Sequence, residues 1–260
     1  MGFHNQIAIV TGGGQGLGRQ IALRLAQEGS QVVIADINEE GSRETAEMIG
    51  RNGDGAPKVI PTDIRQENQV TALIQAALSI AGRIDILVNN SGIMGPVKPI
   101  EDITVEEWED TLAVNLRGMF LCCKHTIPPM KKQGSGSIVN ISSITGKLAL
   151  VQRTPYATSK MGVIGLTRTL AAEVGKWKIR VNSVCPGAII GPRLEKVVDG
   201  IMQATGKSRE QVVAERAEAS ALKTFIDPRD VAATVAFLCS QEAAMITGQD
   251  INVCGGTIMY

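Results

Sequence analysis

The sequence predicts an α/β protein built as a single domain, a doubly wound parallel sheet with helices on both faces. Three observations predict it. Short β-branched apolar runs recur along the 260 residues, longer amphipathic stretches separate them, and the two kinds alternate almost to the end. Such alternation means repeated βαβ units, whose strands are covered on both sides and therefore read as nearly continuous apolar runs.

The elements follow in order. Ile7 to Val10 reads as the first strand and Gly18 to Glu28 as its helix. Val32 to Ala35 is followed by a helix at Glu39 to Ile49, and Val59-Ile60 by one at Gln66 to Ala81. Ile84 to Val88 leads to a helix at Val105 to Thr126, and Ile138 to Ile141 to one at Tyr156 to Val174. Ile179 to Val184 is the sixth strand. Asp230 to Leu238 forms the last helix, and Thr247-Gly248-Gln249 turns into a final strand at Asp250 to Val253. No second domain interrupts this rhythm. Gly187 to Thr224 breaks it with Gly, Pro and charged residues, which predicts an irregular, mobile substrate lid.

Composition narrows the function classes. A chain that is 44% hydrophobic and 20% charged, with 28 glycines, suits a folded protein with a sizeable core and many turns. Lys+Arg and Asp+Glu balance at 26 each, and no basic stripe with interleaved aromatics appears, so a nucleic-acid partner is not expected. Cys122, Cys123, Cys185, Cys239 and Cys254 show no C-x-x-C spacing, and their odd number argues against a closed disulfide framework. Met1 to Gln6 has no secretory pattern, and no apolar run reaches the roughly 18 residues that span a bilayer. These features predict a soluble, cytoplasmic protein. His4 and His125 are the only histidines and lie in no Cys/His/Asp constellation, so no metal site is expected.

After the first strand comes Thr11-Gly12-Gly13-Gly14-Gln15-Gly16-Leu17-Gly18. Its glycines permit a tight turn and close approach of a pyrophosphate to a helix N-terminus, as in Rossmann-type folds. Other nucleotide and S-adenosylmethionine binders share this logic, and a purely structural turn is a further reading. Asp36 ends the second strand 18 residues past Gly18, near the position of an acid that bonds the adenosine ribose hydroxyls. Its charge would repel a 2′-phosphate, Gln15 rather than Arg stands in the turn, and Ile37 rather than a base follows. These residues favour NAD over NADP. The plainer role for Asp36 is a helix N-cap.

Tyr156 and Lys160 stand four residues apart, on one face of a helix. A cation beside a phenol stabilises the phenolate and brings its proton exchange nearer neutral pH. Such a pair is common on solvated helix faces. Its context is Ser142-Ser143, which follows the fifth strand at the sheet edge where doubly wound folds place ligands.

Together these features resemble the short-chain dehydrogenase/reductase family in its compact single-domain branch, from about Ile7 to Gly256. The resemblance rests on Thr11-Gly12-x-x-x-Gly16-x-Gly18, Asn89-Asn90-Ser91-Gly92, Tyr156-x-x-x-Lys160 and Pro186-Gly187. It implies a hydride-transferring oxidoreductase acting on a secondary alcohol or ketone. Tyr156 would be the acid/base, Ser143 rather than Ser142 the group polarising the substrate oxygen, and Lys160 the residue that bonds the nicotinamide ribose and tunes Tyr156. Asn115 would hold a water of the proton relay. Gly12, Gly14, Gln15, Gly16, Leu17, Gly18, Asp36 and Ile37 would line the cofactor's phosphates and ribose, with Asp63 and Ile64 at the adenine. Asn89 would stand beside the adenosine ribose, and Pro186, Gly187 and Ile189 near the nicotinamide. Plainer readings make Asp63 a turn former, Asn89 a sheet-end bracket and Ile189 core packing.

The sequence departs from the family pattern at Ser91, at Gly191, which puts one cofactor hydrogen bond in doubt, and at Cys254. Met94 and Leu148 are candidate substrate contacts, whereas Leu150 and Met161 read more simply as core. Arg153 and Arg193 flank the pocket and are candidates to receive a carboxylate, phosphate or sulfonate, although most arginines of this kind are only surface charges. A 3-oxoacyl thioester reductase and a non-catalytic NAD-binding sensor are the competing functions. The resemblance also implies a homotetramer, paired through Val105 to Thr126 and Tyr156 to Val174.

Overall fold

A computed structural model describes residues 2–51 and 57–260. Seven strands form one parallel sheet in the order β3-β2-β1-β4-β5-β6-β7. They are β1 (Ile7–Thr11), β2 (Gln31–Asp36), β3 (Lys58–Pro61), β4 (Ile86–Asn89), β5 (Gly136–Ile141), β6 (Ile179–Pro186) and β7 (Asp250–Val253). The expected doubly wound architecture is the observed one. Its strand order reverses between β1 and β4, and ligands of such sheets bind at the carboxyl ends of strands beside that reversal.

β1 shows how the sheet becomes two-sided. Ala8 and Val10 face one core layer with Ile21 and Leu25 of α1 (Gly16–Gln27) and Val231 and Val235 of α9 (Pro228–Cys239). Ile7 and Ile9 face the other, with Leu73 and Ile74 of α3 (Glu67–Ala81) and Cys122 of α5 (Gly118–Gln133). All five β1 residues are buried, which explains the unbroken apolar run. Each such side chain contributes about 1.5–3 kcal/mol through burial. α2 (Glu39–Arg51) and α6 (Thr154–Val174) complete the crossovers. Among the described residues no helix is long and apolar enough to cross a membrane.

Three expectations about elements change. The strand expected from Ile84 begins at Ile86, because the Asp85 carboxylate takes the Ile7 amide at 2.9 Å and is forked by Arg83. The helix expected over Val105 to Thr126 is α4 (Val105–Leu112), a π turn at Ala113–Arg117 and then α5, which runs on through Pro128 and Pro129. Tertiary contacts outweigh the prolines: Met130 is buried, the Gln133 side chain bonds both the amide and carbonyl of Ile84, and Gly134 closes the helix left-handed. The segment expected to be irregular contains α7 (Pro192–Thr205) and α8 (Arg209–Glu218). Pro192 opens α7, a Ser208/Gln211 capping box opens α8, and Leu194, Val198 and Val212 make a small core between them. Its two ends are tied to each other by reciprocal bonds, Ile190 N to Ile226 O and Ile226 N to Ala188 O, both 2.9 Å.

Candidate active site

The glycine turn is held by residues at the end of β4. Thr11 Oγ1 accepts the amides of Asn90 and Ser91 at 3.0 and 3.1 Å, and Asn90 Nδ2 donates to the carbonyls of Thr11 and Gly12 at 3.1 Å each. Asn90 is therefore the bracket of this turn. A Cβ on Gly18 would stand 1.9 Å from the Gly12 carbonyl oxygen. From behind, Arg19 Nη2 bonds Gly14 O at 2.7 Å and Thr45 Oγ1 bonds Gly13 O at 3.1 Å.

The residues present fit a dinucleotide. Gln15 precedes α1 without a side-chain cap, so the first-turn amides of Gly16, Leu17 and Gly18 are left for an acceptor from outside the helix. Gly16 stands at φ +54° with open space where a side chain would be. Asp36 lies beside the turn, accepting the Gly14 amide at 2.9 Å and the Asn38 amide at 3.0 Å. It is not the cap of α2: Asn38 takes the Gly41 amide at 3.0 Å instead. Ile37 is 72% exposed.

Some expected cofactor residues have their side chains committed elsewhere. Asn89, expected near the ribose, is buried and donates to Asn140 Oδ1 at 2.9 Å and Cys123 Sγ at 3.3 Å, so its side chain is an internal bracket between β4 and β5. Asp63 is forked by Arg65, whose hydrogen bonds hold its carboxyl below the usual range, and the Asp63 carboxylate also takes the Arg65 amide at 2.9 Å. Its side chain is a turn former. Ile64 is buried, packing against Gly118 in the second core layer. Ile189 bridges to Ile226 at the base of the α7–α8 segment. Pro186 ends β6 opposite Val253, and Gly187 donates to Val253 O at 2.9 Å.

The four expected catalytic residues do converge. β5 ends in Ser142 and Ser143, and the two hydroxyls differ in use. Ser142 Oγ donates to the Lys160 carbonyl at 2.8 Å and serves packing, whereas the Ser143 hydroxyl faces the Tyr156 phenol and helps to lower its pKa. Ser143 Oγ also takes the Thr145 amide at 3.1 Å, which fixes it at the head of the turn Ile144–Gly146. Lys160 is buried, donates to Ile141 O at 2.9 Å, and its ammonium lies 5.7 Å from the Tyr156 ring centre. A side chain on Gly92 would meet Asn115 Oδ1 at 3.3 Å and Lys160 Nζ at 3.5 Å, so these two flank one backbone point.

The Asn115 side chain is fully engaged with its neighbours. It accepts the Ile93 amide at 2.8 Å and donates to Ile93 O at 3.0 Å and Ser159 Oγ at 3.1 Å. Ser159 in turn donates to Tyr156 O at 2.7 Å. The side chain is thus a bracket joining the π turn, the loop after β4 and α6, and it helps to position Tyr156.

Electrostatics favour the phenolate. Burial pushes the Tyr156 phenol up, but the charges of Lys160 and Arg193, the Ser143 hydrogen bond and Arg153 together outweigh it, so the phenol titrates below its ordinary value. Burial, reinforced by Arg193, lowers Lys160 against the pull of Tyr156 and Cys185. Arg153 Nη2 bonds Met94 O at 3.0 Å, and Arg193 Nη2 bonds Gly92 O at 3.1 Å. Leu148 is 44% and Leu150 50% exposed. Met161, expected in the core, is 56% exposed because α6 buries the face of Ser159, Lys160 and Val163. Among the described residues no three His, Cys, Asp or Glu side chains group as metal ligands.

One placement went unread in the sequence. A Cβ on Gly146 would stand 2.8 Å from both the carbonyl carbon and oxygen of Lys160, so only glycine lets the Ser143 turn lie flat on α6. Gly146→Ala is expected to lower kcat at least tenfold by lifting Ser143 from Tyr156, besides costing about 1–3 kcal/mol of stability. Turnover kinetics with a parallel melting curve check this, and an unchanged kcat in a less stable protein would refute the positioning role.

A doubly wound sheet with a glycine turn at its reversal point and a Ser/Tyr/Lys cluster across the same edge defines an oxidoreductase of the nicotinamide-dependent type. The family described as Enoyl-(Acyl carrier protein) reductase matches residues 12–257. Levodione reductase of Leifsonia aquatica is 34% identical over 98% of this chain and 94% of that protein. Among solved structures, an NADPH complex of a variant actinorhodin polyketide ketoreductase superposes with TM-score 0.92 at 34% identity, covering 98% of each chain. NAD+-bound xylitol dehydrogenase superposes with TM-score 0.92 at 27% identity, covering 98% of this chain and 99% of its own. The chain belongs to the short-chain dehydrogenase/reductase family.

Proposed function

We propose that this chain is an NAD-linked dehydrogenase/reductase that interconverts a small secondary alcohol and its ketone. The observation that carries this reading is the placing of the Tyr156 ring between the buried Lys160 ammonium, 5.7 Å away, and the Arg153 guanidinium, 5.0 Å away, charges that hold its phenol toward the ionised form. NAD(H), when bound, would supply the hydride acceptor or donor. Tyr156 takes the hydroxyl proton in oxidation and returns it to the carbonyl oxygen in reduction. The Ser143 hydroxyl orients that oxygen and polarises it. Lys160 stabilises the phenolate between the two states, and Asn115 and Ser159 hold the Tyr156 backbone in place. The open first-turn amides of α1 would receive the pyrophosphate, and Asp36 the adenosine ribose.

NAD is favoured by charge at the rim of the turn. Asp36 would repel a 2′-phosphate, and the nearest guanidinium, Arg19, is already spent on Gly14 O, Gly41 O, Thr45 and Glu44. Asp36→Asn keeps an acceptor for the Gly14 amide while removing the charge. It is expected to raise the NADPH:NADH ratio of kcat/KM by about 10- to 100-fold, since a charge pair a few ångströms apart near a surface is worth about 1–4 kcal/mol. An unchanged ratio from steady-state kinetics would overturn the assignment of Asp36 to the ribose.

The 36% identity, over 98% of this chain, to a 3-oxoacyl-[acyl-carrier-protein] reductase of Staphylococcus epidermidis favours a second reading, reduction of a 3-oxoacyl thioester. Turnover of an acetoacetyl thioester with NADPH well above that of small ketones with NADH would select it. We read α7 and α8 as the lid of a single catalytic domain, and the exposed Phe120 and Met161 as supporting subunit contacts in a homotetramer. Five free, buried cysteines suit a reducing cytoplasm. Light scattering that returned a monomer would remove the tetramer.

A further inference from the structure

Arg153 is an unusual place to find a charge. It is 9% exposed, and its Nε is enclosed without a hydrogen-bond partner. Its guanidinium carbon stands 5.0 Å from the centre of the Tyr156 ring. Of the five N–H donors a guanidinium carries, one nitrogen meets the Met94 carbonyl and the rest find no acceptor among the described residues. The charges that bear on it are Tyr156 and a second cation, Arg193, which reaches in from the first turn of α7 to Gly92 O. Among the described residues no carboxylate lies in ion-pair range of either guanidinium. Lys160 adds a third positive charge on the other side of Tyr156. Arg19, Arg24, Arg65, Arg83 and Arg168 each meet a carboxylate, and the part-buried Arg180 spends both its terminal nitrogens on backbone carbonyls, whereas Arg153 has one carbonyl and an unpartnered Nε. A guanidinium enclosed with no carboxylate beside it costs stability, and an anion bound from outside the chain would offset that cost.

Building on the alcohol/ketone reading, we propose that the substrate carries a carboxylate close to the reacting carbon, received by Arg153 with Arg193 closing over it from α7. The substrate class is then a short oxo acid and its hydroxy acid. A guanidinium suits this task because its planar fork matches a carboxylate and stays charged at every working pH. Tuning of Tyr156 alone does not explain Arg153, since Lys160 already supplies a cation there.

The test compares acetoacetate with pentane-2,4-dione, which has nearly the same shape and no charge, in the wild type, Arg153→Gln and Arg193→Gln. Wild-type kcat/KM is expected to favour acetoacetate by about 10- to 100-fold, and Arg153→Gln to bring that ratio close to one. Arg193→Gln, on an exposed side chain, is expected to lower the ratio part of the way, and added salt to raise KM for acetoacetate alone. Loss of both ketones in equal proportion would overturn the carboxylate site and leave the oxidoreductase reading standing. Calorimetry separates the converse: acetoacetate bound by the wild type but not by Arg153→Gln, with no ketone reduced by NADH or NADPH, keeps the site and removes the reaction.

Discussion

Tyr156→Phe is expected to lower kcat about 10³-fold, roughly 4 kcal/mol of activation free energy, while cofactor affinity stays within a few-fold of the wild type. The phenylalanine ring keeps the packing against Arg153 and removes only the oxygen that the cations stabilise. Stopped-flow turnover with a parallel cofactor titration checks both halves. Turnover near wild type would refute Tyr156 as the acid/base. The pH dependence carries the same assignment with a definite sign. Oxidation needs the phenolate, so its kcat/KM rises through the Tyr156 pKa and then levels; reduction needs the phenol and falls above it. Because Lys160, Arg193 and Arg153 bring that pKa below the ordinary phenol value, both inflections lie below pH ~10. Lys160→Met removes the charge that lowers the Tyr156 pKa most and shifts both inflections upward. A profile that stayed in place would show that Lys160 does not tune Tyr156.

The parts of this site that were legible in the sequence are those set by local spacing. Tyr156 and Lys160 share a helix face whatever surrounds them, and strand edges that end in Ser143 or open into the glycine turn follow from the βαβ rhythm. The parts that were not legible depend on which of two adjacent residues faces which way across a strand. Asn89 and Asn90 look interchangeable in sequence, yet Asn89, the last residue of β4, turns into the sheet toward Asn140 and Asn90, just past it, turns out to the glycine turn. The π turn at Asn115 is likewise invisible locally, because the bonds that Asn115 makes are to Ile93 and Ser159, 22 and 44 residues away. The helices α7 and α8 carried readable signals, Pro192 at the first position and the Ser208/Gln211 box, which the loss of strand rhythm obscured.

The glycine turn separates residues that a motif treats alike, and this sets the second large effect. A methyl group at Gly18 would stand 1.9 Å from Gly12 O and 2.5 Å from Asn90 Nδ2, inside the bracket that fastens the turn to β4. The helix cannot yield, since Ile21 and Leu25 of α1 are fully buried. The turn must therefore move, breaking the Asn90 bonds and misaligning the first-turn amides. Gly18→Ala is expected to weaken cofactor binding at least about 100-fold, roughly 2.7 kcal/mol. Overpacking should cost about 2–3 kcal/mol of stability, read as a fall of roughly 5–10 °C in Tm. Gly16→Ala meets no atom within 4 Å and must bear only its φ of +54°, so its cost should stay near 1–2 kcal/mol. Calorimetric cofactor titration of both variants checks the order. If Gly16→Ala proved the more damaging, close packing of α1 against the turn would not be what organises the cofactor end of the site.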